Sequence, residues 1–230
     1  SNLVSANVNP NGEIFVKNLT SGTIDRASVA IGGDAANGVS NNPSLSADGA
    51  VVAFESSASN LVSGDSNGFK DVFIRKAGVT TLLSTAKDGS LGNGSSSAPL
   101  LTGSGDKAAF TSNASNLISA DGNGVSDVFL KNLVSGEVVR VSESSSGQEA
   151  NGASTLLSVS TDGHYVAFAS TATNLVIGDT NGKMDIFVKD MTTKALVRIS
   201  VDDAGVQGNG DSQFADLSGD GAFIAFSSSA

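Results

Sequence analysis

The chain has 230 residues and a formal charge of −10, with 13 basic against 23 acidic side chains. This disfavours nucleic acid and anionic membrane surfaces as partners and favours cations. No Cys and a single His, His164, exclude disulfides, zinc centres built on Cys or repeated His, and a Cys nucleophile. No apolar run reaches membrane-spanning length and no charged-then-apolar leader is present, so a soluble mature domain or an excised piece of one is expected.

Taken in chain order, the elements repeat. Ser1-Asn2-Leu3-Val4 leads to a strand at Glu13-Ile14-Phe15, as Ser59-Asn60-Leu61-Val62 leads to Asp71-Val72-Phe73. Val52-Ala53-Phe54 then recurs as Ala108-Ala109-Phe110, Val166-Ala167-Phe168 and Ile224-Ala225-Phe226, in steps of 56, 58 and 58 residues. A second Phe follows the first three after 19 residues, at Phe73, Phe129 and Phe187, and joining the two ends of the chain places Phe15 at the same distance from Phe226. The length is therefore a whole number of repeats, opened inside one of them. The short step lies in the hairpin at Lys76-Ala77-Gly78-Val79, where other copies carry longer turns such as Asn132-Leu133-Val134-Ser135-Gly136.

Each repeat reads as four strands. Ser44–Ala47 and Leu156–Ser160 precede Asp-Gly turns, Ala50–Ser56 and Tyr165–Ser170 follow them, Asp71–Arg75 and Asp185–Lys189 carry the second Phe, and Thr80–Thr85 and Leu196–Val201 come last. Radial repetition of four antiparallel strands predicts an all-β propeller of four blades, at 37–92, 93–150 and 151–208 with one blade shared by 1–36 and 209–230. In that shared blade the strand Ala222–Ser227 is expected to pair with Glu13–Lys17 and remove two free edges. A monomer is expected, and half of an eight-bladed dimeric ring is the alternative. The repeated Phe are expected to be blade-to-blade core.

The loop before the third strand carries the most informative chemistry. Three copies read Asp-x-Asn-Gly-x-x-Asp, giving Asp65, Asn67 and Asp71, then Asp121, Asn123 and Asp127, then Asp179, Asn181 and Asp185. Oxygen ligands at such spacing in a Gly-containing loop suit Ca2+, although the EF-hand pattern is matched only in part. Two carboxylates about 5 Å apart at an effective dielectric near 20 repel by roughly 3 kcal/mol, so a loop that brings both together needs a cation beside them. A loop that splays them is instead a hydrogen-bonded turn, and both readings stand. The first copy is degenerate, with Asn7, Asn9, Pro10 and Glu13.

A second repeated segment, Asn-Gly-x-Ser at Asn37, Asn93, Asn151 and Asn209, reads as a type I′ or left-handed turn with Ser bonded to backbone. Lys17, Arg75, Lys131 and Lys189 stand two residues after the second Phe and are expected at a blade edge, paired with acids or snorkelling. His164 is expected on a surface turn.

Asp162 to Ser170 and Asp185 to Asp190, with their counterparts in the other copies, resemble the WD40-like, TolB-type propeller repeat over essentially the whole chain. That resemblance implies a propeller used for binding or scaffolding in secreted or periplasmic bacterial proteins, with more than four blades usual. It implies no reaction. The expected function is a non-enzymatic binding module with an unknown protein or glycan ligand, calcium-stabilised in one reading. A carbohydrate-binding propeller is the alternative, weakened by the absence of Trp and by a single Tyr. A hydrolase or lyase with an acidic active site ranks third, because the carboxylate pairs repeat whereas a catalytic centre is unique.

Overall fold

The computed structural model describes residues 3, 9–10, 12–119 and 121–230. Asn7 of the degenerate loop lies outside them. The strands are β1 (Phe15–Lys17), β2 (Ile24–Arg26), β3 (Ser40–Leu45), β4 (Val51–Ser56), β5 (Asp71–Lys76), β6 (Val79–Leu82), β7 (Ser96–Leu101), β8 (Lys107–Ser112), β9 (Asp127–Asn132), β10 (Val138–Arg140), β11 (Ser154–Val159), β12 (Tyr165–Ser170), β13 (Asp185–Asp190), β14 (Leu196–Arg198), β15 (Ser212–Leu217) and β16 (Ile224–Ser228). One 3-10 turn, Ile31–Gly33, is the single helical element among the described residues, and no helix is long and apolar enough to cross a membrane.

Three antiparallel four-stranded sheets form: blade one (β3–β6), blade two (β7–β10) and blade three (β11–β14). The first strand of blade one begins at Ser40 rather than Ser44 because a bulge between Asn41 and Ser44, with Asn42 at φ 49°, carries the pairing past Pro43. Blade two repeats the bulge at Ala98, φ 51°.

The two phenylalanines of each repeat face each other across β4–β5, β8–β9 and β12–β13. Their ring centroids are 5.8, 5.9 and 5.6 Å apart, and all six rings are completely buried. Alternation along each strand sends one set of side chains to the preceding blade and the other to the following one. Ile74 and Leu83 of blade one thus pack with Phe110 and Phe129 of blade two, while Ala109 and Leu130 pack with Phe168 and Phe187 of blade three. Burying each Phe is worth roughly 1.5–3 kcal/mol, which makes these seams the main source of cohesion.

A backbone relay also runs from blade to blade through the turns between first and second strands. Ala47 N–H donates to Gly103 O at 2.9 Å, Gly103 N–H to Thr161 O at 2.7 Å, and Thr161 N–H to Gly219 O at 2.8 Å. Side chains reinforce it further in: the Leu101, Leu156 and Leu217 amides donate to Ser44, Thr111 and Ser158 of the preceding blade.

The expected pairing of the two chain ends is not formed. β1 and β2 make one two-stranded sheet, and β15 and β16 another. Phe226 on β16 remains 40% exposed, where its counterparts Phe54, Phe110 and Phe168 are sealed between two strands. The hydrophobic pattern predicts which strand β16 suits, but blade-to-blade packing sets how the arc curves, and local sequence does not encode that angle.

Candidate cation sites in the acidic loops

Each acidic loop is organised by its Asn. The Asn67 amide nitrogen donates to Asp71 Oδ2 at 2.8 Å and to Gly92 O at 3.1 Å, and its oxygen accepts the Phe69 N–H at 3.0 Å. Asn123 makes the same three bonds, to Asp127, Ala150 and Val125. Asn181 makes them to Asp185, Gly208 and Lys183. The Asn therefore ties its loop to the connection that enters the next blade, and its side-chain oxygen caps its own turn.

The second Asp starts the third strand and is fully buried in all three copies. Its other oxygen accepts a serine hydroxyl from the end of the fourth strand: Ser84 to Asp71 at 2.6 Å, Ser142 to Asp127 at 2.5 Å and Ser200 to Asp185 at 2.5 Å. The serine oxygen in turn accepts a strand N–H, from Val72, Val128 and Ile186. Burial still raises the Asp71 and Asp127 carboxyls above their ordinary range, against the lowering effect of these bonds.

The first Asp is where the copies diverge. In blade two, Arg140 Nη1 lies 3.7 Å from Asp121, 3.9 Å from Asp127 and in contact with Glu149. In blade three, Arg198 Nη1 lies 3.3 Å from Asp179 and 3.8 Å from Asp185, and donates to Gln207 at 2.9 Å. In the N-terminal half-blade Arg26 pairs with Glu13 at 3.2 Å. All three arginines stand opposite the second Phe of their repeat, and in blade one that register position is Leu82. Leu91 likewise stands where Glu149 and Gln207 do. Asp65 and Asp71 therefore share an environment without a guanidinium, and Asp65 is raised by burial and then by the charge of Asp71. Asp121 is pushed up to about 6, by burial first and the Asp127 charge second, with Arg140 opposing. Asp179 is raised in the same way, and its Oδ2 is buried without a hydrogen-bond partner.

Ca2+ takes six to eight oxygens. The carboxylate oxygens of Asp121, Asp127 and Glu149 lie within 4.8 Å of one another, yet Arg140 stands among them. In blades two and three a guanidinium thus supplies the neutralising charge, and in all three the Asn oxygen is turned to backbone. Blade one offers two carboxylates with neither guanidinium nor Glu.

The other repeated segments differ from their sequence reading. Gly38, Gly94, Gly152 and Gly210 are not in left-handed turns. A Cβ there would come within 2.5–2.7 Å of the backbone at 57–58, 113–114, 171–172 or 229, so glycine is needed for a close chain crossing. The Asn beside each of the first three clasps the opposite loop, as Asn93 does with Ser115 and Asn116. The Ser bonds a facing Ser on the second strand, as Ser96 does with Ser112 at 2.8 Å. Lys131 and Lys189 are buried within the seams and donate to carbonyls of the preceding blade, because sharing a face with Phe129 and Phe187 carries them inward. Burial lowers Lys131 to about 8. His164 is on an exposed turn, 3.1 Å from Asp162, as expected.

No family model and no curated protein matches the chain. Solved structures do. The chain is similar to a putative TolB from Agrobacterium tumefaciens, with TM-score 0.54 and 15% identity over 96% of this chain and 64% of that one. The fold is that of a TolB-like propeller. TolB from Acinetobacter baumannii matches with TM-score 0.50 and 16% identity over 93% of this chain and 42% of that one. An oligogalacturonate lyase in complex with manganese matches with TM-score 0.56 and 11% identity over 93% and 52%. The chain therefore spans less than two thirds of each TolB-like structure that it matches.

Proposed function

We propose that the chain is a non-catalytic binding or scaffold module, a propeller segment of a bacterial extracellular or periplasmic protein whose acidic loops tie blade to blade. The observation that carries this reading is that the same Asp–Asn–Ser set recurs in three blades with its polar atoms turned onto backbone and neighbouring connections. A catalytic centre is single and opens toward a substrate, whereas a repeated, inward-facing set serves cohesion. Turnover of polygalacturonate in the presence of Mn2+, lost in Asp65→Asn, would overturn it. A glycan array with specific hits would favour the carbohydrate-binding alternative.

Calcium is the second reading, and Leu82 favours it at one copy only. Asp65 and Asp71 supply two carboxylates and no internal cation, so Ca2+ would there provide the charge that Arg140 and Arg198 provide elsewhere. On this reading millimolar Ca2+ raises the melting temperature of the native chain, because a ligand bound only by the folded state stabilises it. It leaves a Leu82→Arg variant unchanged; an equal shift in both removes the site. The free edges of β1 and β16 suit one another in the Phe-to-Phe register, and we take them as halves of one blade. A solution mass of 22.9 kDa or twice that value separates completion within one chain from completion between two.

A further inference from the structure

The seam between the β1–β2 half-blade and blade one is built differently from the two seams that follow. In those, the lysine two residues after the second Phe spends its protons on the preceding blade. Lys131 Nζ donates to Leu83 O at 2.9 Å, Thr85 O at 2.7 Å and Thr85 Oγ1 at 2.6 Å, and Lys189 Nζ to Glu143 O at 3.0 Å and Ser144 O at 2.9 Å. At the first seam the residue is Arg75, whose one hydrogen bond goes to Thr80 Oγ1 on its own blade at 3.0 Å. Ala27 and Val29, the counterparts of Leu83 and Thr85, receive nothing from it.

The adjoining hairpin differs as well. In blades two and three it is long, and Leu133 and Met191 pack on the seam cores while their N–H groups bond Asp106 O at 2.8 Å and His164 O at 2.7 Å. In blade one it is the two-residue turn Ala77-Gly78, both at positive φ as a type I′ turn requires, and it makes no such tie. The result is a groove of about 570 Å3, with Val16, Ala27 and Val29 on one wall, Ala50 and Val52 on the other, and Arg75 between them. The corresponding groove of the second seam, about 490 Å3, has its ammonium already consumed, and that of the third is about 240 Å3.

We propose that the first seam is a binding site for a small aliphatic monocarboxylate, its carboxylate on the Arg75 guanidinium and its hydrocarbon body along the valine walls. A guanidinium with unspent donors matches the planar geometry of a carboxylate. Asp25 lines the same groove, so a singly charged group is accommodated where a dianion such as sulfate meets repulsion. The walls offer no polar side chain opposite Arg75, which selects an apolar body, and the volume is in the range of small-molecule sites.

The test is a titration of the 15N-labelled chain with 3-methylbutanoate, alongside 3-methylbutanamide and sulfate. Saturable shifts of the Arg75 Nε–H and of the Ala27 and Gly78 amides are expected from the acid alone, with half-saturation on the order of millimolar for a ligand of this size. Arg75→Lys, which restores the side chain of the other seams, weakens binding at least tenfold. So does replacing Ala77-Gly78 with the Leu-Val-Ser-Gly of residues 133–136, while Lys131→Arg leaves it unchanged. Shifts that fail to saturate, equal binding of the amide, or undiminished binding by Arg75→Lys would each overturn the proposal.

Discussion

Blade one and blades two and three share a backbone plan and differ in how they settle their charges. Blade two buries Asp121 and Asp127 beside Arg140, and blade three buries Asp179 and Asp185 beside Arg198. Blade one keeps both carboxylates and puts Leu82 in the arginine's place. At the seam, lysines 131 and 189 are consumed by neighbouring carbonyls while Arg75 keeps its donors facing a groove. The strand pairing and the phenylalanine stack are the same in all three, so cohesion and ligand chemistry are carried by separate positions of one repeat. A blade can change its polar lining without changing its fold.

The sharpest way to break this contrast is to give blade two the lining of blade one. Arg140→Leu leaves Asp121, Asp127 and Glu149 without their guanidinium, and the loss is expected at about 3–5 kcal/mol, since an uncompensated buried charge remains. Urea unfolding at pH 7 reads it, and part of the stability should return under acid as those carboxylates protonate. Next in size is Asn123→Ala, which strips Asp127 of one donor and frees the loop from Ala150. About 1–3 kcal/mol of destabilisation is expected in the same measurement, and Asn67→Ala should match it, because that tie is common to both blades.

The pH dependence sharpens the comparison further. Asp121 moves from its ordinary 3.8 up to about 6 on folding, so between those values the folded chain holds more protons than the unfolded one. Stability contributed by this group is then present at low pH and falls as pH rises through about 4 to 6. Asp65, Asp71, Asp127 and Asp179 shift in the same direction. Thermal melts at stepped pH should show the decline, and Asp121→Asn should flatten it in part; a rise over the same window would refute the assignment. The smallest effect concerns the short hairpin of blade one. Ala77 sits at φ 49°, so Ala77→Gly is expected to stabilise by roughly 0.5–1 kcal/mol, as a shift in the urea midpoint with unchanged slope.

The period, the four strands and the buried phenylalanines were legible because every copy spells them, and repetition averages out the ambiguity of any one strand. The buried Asp–Asn pairs were half legible. Their residue types and spacing stand in the sequence, but whether the Asn oxygen faces a cation or its own backbone depends on a turn that spacing leaves open. Arg140 and Arg198 were missed, although they follow the second Phe by 11 residues in their copies. The shortened hairpin moves Leu82 to 9 and hides the column unless the alignment is carried through the gap. The crossing glycines were misread because an Asn-Gly pair signals a turn locally, while here the demand comes from a strand some 20 residues away.

The relay from Ala47 through Gly103 and Thr161 to Gly219 has one polarity, each turn giving a proton to the next and taking one from the last. Every link therefore uses the same two atoms of consecutive repeats. Genetic duplication of one 58-residue unit, cut at any equivalent point, inserts a blade whose donor and acceptor are already matched to its neighbours. A chain of this kind can lengthen or shorten by whole units without a compensating substitution, so copy number is open to variation among its descendants while the repeat length is held fixed.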